Sequence, residues 1–151
     1  MRTFLGTLGR AHNLLEQLLD AAIIETGLSS QELMVMQVAI EADEPSIAVI
    51  LRSTGLRPST LSSLLTRLER RGYLHRARGS RDGRSRLLIV TLPGQQATRI
   101  AWSLQLELEQ RLGEPERRQQ DLDILHAIAR EISLLGPPTI DPEDGLPIAT
   151  A

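Results

Sequence analysis

The chain of 151 residues has no cysteine. That excludes disulfides, thiolate metal sites and thiol-based redox sensing. Lysine is also missing, so all seventeen basic residues are arginines. Each cation is therefore a planar fork able to place two hydrogen bonds on a phosphate or a guanine edge. Aromatics are limited to Phe4, Tyr73 and Trp102, so the core must be built from Leu, Ile, Val and Ala. No apolar run approaches the roughly 20 residues a membrane span needs. The first twenty residues form an amphipathic pattern interrupted by Glu16 and Asp20, not a secretory signal. The expectation is a cytoplasmic protein with no membrane partner, of a size suited to one domain or one domain with an appended helical module.

Charge is distributed unevenly. Residues 52–86 hold ten arginines, Arg52, Arg57, Arg67, Arg70, Arg71, Arg76, Arg78, Arg81, Arg84 and Arg86, against two acids, Glu69 and Asp82. This segment carries +8 and the remainder −10, so the net charge of −2 conceals a strongly dipolar molecule. Clustered positive charge of one sign is the footprint of a surface that meets nucleic-acid phosphates.

Periodicity predicts a helix over residues 3–26, with Leu5, Leu8, Leu15, Leu18, Leu19, Ala22 and Ile23 at helical spacing and Gly27 as its stop. Ser29 or Ser30 caps a second helix, and Glu32 three residues after Ser29 completes a capping box. Leu33, Met36, Val38 and Ile40 are its expected buried positions. Ser46 opens a short helix over 47–53, closed by Gly55. After the turn Leu56-Arg57-Pro58 a third short helix runs from about Ser59 to Arg71, with Leu61, Leu64, Leu65 and Leu68 on one stripe. Tyr73–Ala77 and Ser85–Leu92 read as strands joined by a polar loop containing Gly79 and Gly83, and Pro93-Gly94 ends the second. Helices over about 95–112 and 116–135 follow, separated by Gly113 and Pro115. The last residues, with Pro137, Pro138, Pro142 and Pro147, read as a flexible Pro-rich tail.

Helix, helix, turn, helix and β-hairpin in this order form a winged helix-turn-helix. The expected fold class is mainly α with a small β-hairpin wing (α+β). The division expected is a helical region over 1–28 and 93–136, the winged region over 29–92 and the tail over 137–151. On the outer face of the helix from Ser59, short side chains let the backbone enter a major groove, and the arginines can reach bases or phosphates. The candidate DNA-binding residues are Arg57, Ser59, Thr60, Ser62, Ser63, Thr66, Arg67 and Arg70, with Arg78, Arg81, Arg84 and Arg86 on the hairpin. The hairpin tip would meet an adjacent minor groove. Arg67 and Arg70 have alternative partners in Glu69 and Asp82. Arg76 either braces Asp82 or binds phosphate.

The run Leu68-Glu69-Arg70-Arg71-Gly72-Tyr73-Leu74-His75-Arg76, followed by Asp82-Gly83-Arg84-Ser85, resembles the MarR-type regulators in order and spacing over about residues 5–135. The resemblance implies a homodimer in which the first and last two helices form the dimerisation layer. Each subunit would set one recognition helix and one wing on double-stranded DNA bearing a pseudo-palindromic operator, and the expected role is a transcriptional regulator of the repressor kind. It also implies a small phenolic or lipophilic effector held between the two layers, for which His12, Met36 and Trp102 are candidate contacts. Arg84 matches the wing arginine of the family signature, and Asp82 would brace the wing with Arg76. Two departures stand out: Arg57 occupies the place of a Ser, Thr or Asp cap, so Ser59 is an alternative cap, and Thr91-Leu92-Pro93 displaces the usual threonine cap of the long helix.

Other function classes are weaker. A winged-helix protein-interaction module that does not read DNA is the alternative, and it predicts a basic face paired internally or covered by an acidic partner. An enzyme is not expected: there is no Gly-rich phosphate loop and no His-carboxylate arrangement at ligand spacing. No cofactor or metal is expected, because His12, His75 and His126 lie far apart in the chain.

Overall fold

In the computed structural model, residues 3–78 and 86–135 are described. The helices are α1 (Phe4–Ile23), α2 (Ser30–Glu41), α3 (Ile47–Thr54), α4 (Pro58–Arg70), α5 (Leu92–Gln110) and α6 (Pro115–Leu135). The strands are β1 (Leu74–Arg78) and β2 (Arg86–Val90), and a 3₁₀ turn, Ile24–Thr26, follows α1. By internal contacts the chain forms two units, Met1–Leu108 and Glu109–Ala151.

In the first unit the winged segment supplies most of the core. Leu61, Leu64, Leu65 and Leu68 of α4 are buried to a few per cent or less and pack with Leu33, Val35 and Met36 of α2, Ile50 of α3, and Leu74 and Leu88 of the hairpin. Ile23, Leu28, Ala97 and Ala101 extend the same cluster to the end of α1 and to α5. The α4 stripe is the predicted one. On α2 the buried set is Leu33, Val35, Met36 and Ala39, while Ile40, expected inside, is exposed. At 100° per residue Ile40 lies on the same side as Leu33 and Met36, but it is the penultimate residue of α2, beyond the stretch whose inward side chains the core covers. The hairpin contributes to the core through one face, on which Leu74, Arg76, Leu88 and Val90 alternate with outward residues.

Local chemistry explains the element ends. Gly55 closes α3 in the left-handed conformation, φ 68°, where a side chain would be strained. α4 begins at Pro58 with Arg57 as N-cap and no side-chain capping bond. Ser59 is therefore not the cap and the helix is not shortened, because proline at the first position is already preset in φ and has no N–H to satisfy. At its other end, Gly72 (φ 71°) allows Tyr73 N to donate to Leu68 O at 3.0 Å and Gly72 N to Glu69 O at 2.9 Å. These two bonds are a Schellman motif, and they turn the chain directly into β1.

β1 and β2 pair antiparallel, with Leu74 opposite Val90 and Arg78 opposite Arg86. Leu88 N also donates to Pro45 O at 2.9 Å, which ties the hairpin to the residues before α3. The start of α5 is earlier than periodicity suggested: Pro93 and Gly94 lie within its first turn instead of ending the strand. Thr91 remains the cap. Its hydroxyl accepts from Gly94 N at 3.2 Å and shares its own proton between Gly72 O (2.6 Å) and Tyr73 O (3.1 Å). Leu92-Pro93 is thus accommodated inside the helix, and the expected displacement of the cap does not occur.

In the second unit, α6 has Pro115 at its first position, and Arg118 donates a side-chain hydrogen bond to Glu109 O. Leu122, Ile124, Leu125 and Ile132 along α6 are exposed.

The seam between β1 and α5 depends on the absence of a side chain at residue 94. A Cβ there would lie 2.1 Å from Tyr73 O and 2.9 Å from Met36 Cε. Gly94→Ala is expected to destabilise the protein by about 1–3 kcal/mol, the usual cost of overpacking. The check is a urea unfolding curve, where a midpoint equal to that of the unaltered protein would show that the seam relaxes freely.

Candidate nucleic-acid interface

The face of α4 opposite its leucine stripe presents Ser59, Ser62, Ser63, Thr66 and Arg70, all exposed, with Arg57 exposed just before the first turn. Thr60 is half-buried at the edge. Ser63 Oγ donates to Ser59 O at 3.1 Å and Thr66 Oγ1 to Ser62 O at 2.9 Å. Each hydroxyl proton is committed to the helix backbone, so outward these residues act as acceptors. Acceptors at this place match the exocyclic amino donors of adenine N6 or cytosine N4 on a major-groove edge. None of the outer side chains except the arginines is long, so little prevents close approach of the helix axis.

The arginines divide into two groups. Arg67, an expected DNA contact, places Nε 2.9 Å from Glu32 Oε1. Arg71 places Nη2 2.5 Å from the same oxygen, donates Nε to Arg67 O at 3.3 Å, and lies over the Tyr73 ring at 5.5 Å from its centroid. Tyr73 in turn donates its hydroxyl to Thr26 O at 3.0 Å. Arg76 Nε is 3.0 Å from Glu69 Oε1, an ionic contact whose N–H is not aligned on the oxygen. Among the described residues, Arg57, Arg70 and Arg86 have no ion-pair partner. Arg86 is exposed on β2 and in register with Arg78. Arg81, Asp82 and Arg84 lie outside the described residues, and with them the bracing of Arg76 by Asp82.

Glu32 was legible in the sequence only as a capping residue. It fulfils that role: Ser29 Oγ accepts from Glu32 N at 3.2 Å, and Glu32 Oε2 accepts from Ser29 N at 3.0 Å. Its second oxygen accepts from both arginines, although the side chain is only 3% exposed. Burial pushes this carboxyl up, but the hydrogen bond from Arg71, the Ser29 backbone bond, the Arg67 bond and the charge of Arg71 together outweigh it. The net result is a carboxyl held below the ordinary carboxylate value.

The three candidate effector contacts are not gathered into one described cavity. His12 is exposed, with Nε2 3.7 Å from Glu16 Oε2. Met36 is fully enclosed in the core, and Trp102 is partly exposed on α5. An open groove of about 610 Å³ lies elsewhere, between Asp20, Ala21 and Ile24 at the end of α1 and Leu28, Arg67 and Arg71. Among the described residues, no three His, Asp or Glu side chains are placed to hold a metal, and no helix is long and apolar enough to cross a membrane.

Residues 26–85 match the model of the MarR family. This segment is similar to the MarR family. The fold is similar to that of several proteins of known structure. CouR from Rhodococcus jostii RHA1, bound to p-coumaroyl-CoA, is 25% identical over 90% of this chain and 94% of that one, with a TM-score of 0.74. MosR from Mycobacterium tuberculosis, in complex with DNA, is 23% identical over 87% and 98%, with a TM-score of 0.70. BpsR from Bordetella bronchiseptica, whose DNA binding is regulated by 6-hydroxynicotinic acid, is 17% identical over 85% and 94%, with a TM-score of 0.76. No curated protein matches the chain in sequence. The MarR-family segment contains α2, α3, α4 and β1, that is, every side chain of the Glu32 cluster and the whole outer stripe of α4.

The acid behaviour of the fold follows from Glu32. Its folded-state pKa is lowered below 4.5, so its contribution to stability is fully present above that value and is lost as pH falls through the folded-state value. Unfolding free energy should therefore decline on the acid side more steeply in the unaltered protein than in Glu32→Gln. Parallel curves for the two proteins below pH 4.5 would show that the carboxylate is not stabilised by its partners.

Proposed function

We propose that this chain is a dimeric, sequence-specific DNA-binding transcriptional regulator, acting as a repressor, whose affinity for DNA is modulated by a small molecule. The observation that carries the reading is the outer face of α4: a stripe of small hydroxyl residues, flanked by Arg57 and Arg70, which have no ion-pair partner among the described residues, on the most basic segment of the chain. α4 enters a major groove, Arg57 and Arg70 contact phosphate or guanine, and the hydroxyls accept from base amino groups. Arg78 and Arg86 at the ends of the paired strands, together with Arg81 and Arg84 between them in sequence, carry the wing to the neighbouring minor groove. The similar MosR complex with DNA supports this placement.

Dimerisation is supported by uncovered apolar surface. Phe4, Leu5, Leu14, Leu15 and Leu18 on α1 are exposed, as are Leu122, Ile124, Leu125 and Ile132 on α6. Solvent-facing apolar side chains in such numbers, on described helices that are not long and apolar enough to cross a membrane, are the mark of an interface. A two-fold dimer places two α4 helices on successive half-sites about one helical turn apart. The effector class is suggested by the relatives' ligands, an aromatic acyl thioester and a hydroxylated aromatic acid.

The second reading, a winged module that binds protein and not DNA, has one observation in its favour: Arg67, Arg71 and Arg76 are paired with acids of the same chain. Those pairs lie beside the outer stripe, and the stripe's own arginines are left open.

The test is fluorescence-anisotropy binding to the chain's own upstream DNA and to a scrambled duplex at two salt concentrations. A preference of about 10³-fold with a steep salt slope is expected; equal, weak binding to both duplexes favours the protein-binding module. In the same assay Arg70→Ala and Arg84→Ala should each weaken specific binding by about 1–3 kcal/mol. Unchanged affinity in both variants removes α4 and the wing from the mechanism. Sedimentation equilibrium should give twice the 16.7 kDa chain mass, and a single-chain mass at micromolar concentration contradicts the dimer.

A further inference from the structure

The Glu32 cluster lies beside the reading face, and its geometry bears on which cations of α4 can be used. On a helix that advances 100° per residue, Ser59, Ser62, Ser63, Thr66 and Arg70 share one face, whereas Arg67 and Arg71 fall on the flank nearer α2. There both guanidiniums converge on Glu32 Oε1, at 2.9 and 2.5 Å. The carboxylate cannot easily release them. It is almost fully buried, its other oxygen is held by Ser29 N at 3.0 Å, and the position is set by the capping box at the start of α2. Losing both arginines would leave a buried charge with a single backbone donor, which is strongly unfavourable. Arg71 has further anchors in Arg67 O and the Tyr73 ring.

We propose that Glu32 is a positioning residue for DNA recognition: its carboxylate withholds Arg67 and Arg71 from the duplex and fixes the seating of α4, so that Arg57 and Arg70 are the helix's phosphate- and base-contacting cations. The proposal rests on the DNA-reading function above and adds to it a residue that touches no DNA. Charge held in this way improves discrimination. A free arginine on the flank of a recognition helix adds sequence-independent phosphate affinity, which raises binding to all DNA alike. A clamped one contributes no counterion release and instead sets the pitch of α4 against α2.

Two variants of the full chain test this by salt dependence, a readout that a purely structural role would not move. Arg67→Ala should leave the slope of log K against log salt unchanged, whereas Arg70→Ala should reduce it by about 1. Glu32→Gln keeps a capping-box oxygen for Ser29 N–H but removes the charge. It should steepen the slope on scrambled duplex by up to about 2 and lower the preference for specific over scrambled DNA by about tenfold. If Arg67→Ala lowers the slope as much as Arg70→Ala does, Arg67 contacts phosphate in the complex and the proposal is overturned. It is also overturned if folded Glu32→Gln has an unaltered slope and preference. If Glu32→Gln fails to fold, the Arg67→Ala comparison alone decides. Absence of duplex binding by the unaltered protein would reject the DNA-reading function itself, and the positioning role with it.

Discussion

A carboxylate removed from water must be met by donors, and in this protein that requirement joins three parts of the chain. Glu32 begins as a helix cap, one of the cheapest ways to satisfy the free N–H groups at a helix start. Because it is also buried, its second oxygen needs partners, and these come from Arg67 and Arg71 at the far end of α4. Arg71 leads on to Tyr73, Tyr73 to Thr26 after α1, and the Tyr73 carbonyl to Thr91 at the head of α5. A polar chain therefore runs from α2 through the end of α4 to both long helices of the first unit. A core of leucine, isoleucine and alanine with few aromatics supplies burial but little directional preference, and this chain of hydrogen bonds supplies the direction.

The same chain separates arginines that hold the structure from arginines left open to solvent. Segment charge does not make that distinction. Ten arginines within residues 52–86 describe a basic patch, yet Arg67, Arg71 and Arg76 have acids of their own. Among the described residues, Arg57 and Arg70 at the two ends of the hydroxyl stripe, Arg86 on β2 and Arg52 on α3 have no ion-pair partner, and the placement of the first two, more than the total, suits a helix seated in a groove.

Much of the fold was legible from local rules. The leucine stripe of α4, the capping box at Ser29, the glycine stops at Gly55 and Gly72 and the strand–loop–strand pattern all depend on residues within a turn or two of one another. What was not legible depended on distance in the chain. Glu32 and Arg67 are separated by 35 residues, and no periodicity announces that pair. Arg67 therefore reads as a DNA contact by its helix position and as a structural cation once α2 is in place. The start of α5 was misread because Pro93-Gly94 is a breaker by composition, whereas proline and glycine early in a helix are harmless and here necessary: Gly94 lets α5 approach Tyr73 O. Exposure of Ile40 likewise follows from its place in the last turn of α2, where the inward side is no longer covered, and periodicity does not specify that. The family likeness in the 68–76 run was a stronger guide than any of these single positions, and residues 26–85 match the MarR family model.

The central claim, that α4 and its symmetry mate read a two-fold DNA site, is tested most directly by selecting duplexes from a randomised pool with the purified full chain. Enrichment of a single inverted repeat, with half-site centres about 10 base pairs apart, is the expected result. A pool that stays without a consensus after several rounds, while still being retained through charge at low salt, would contradict it.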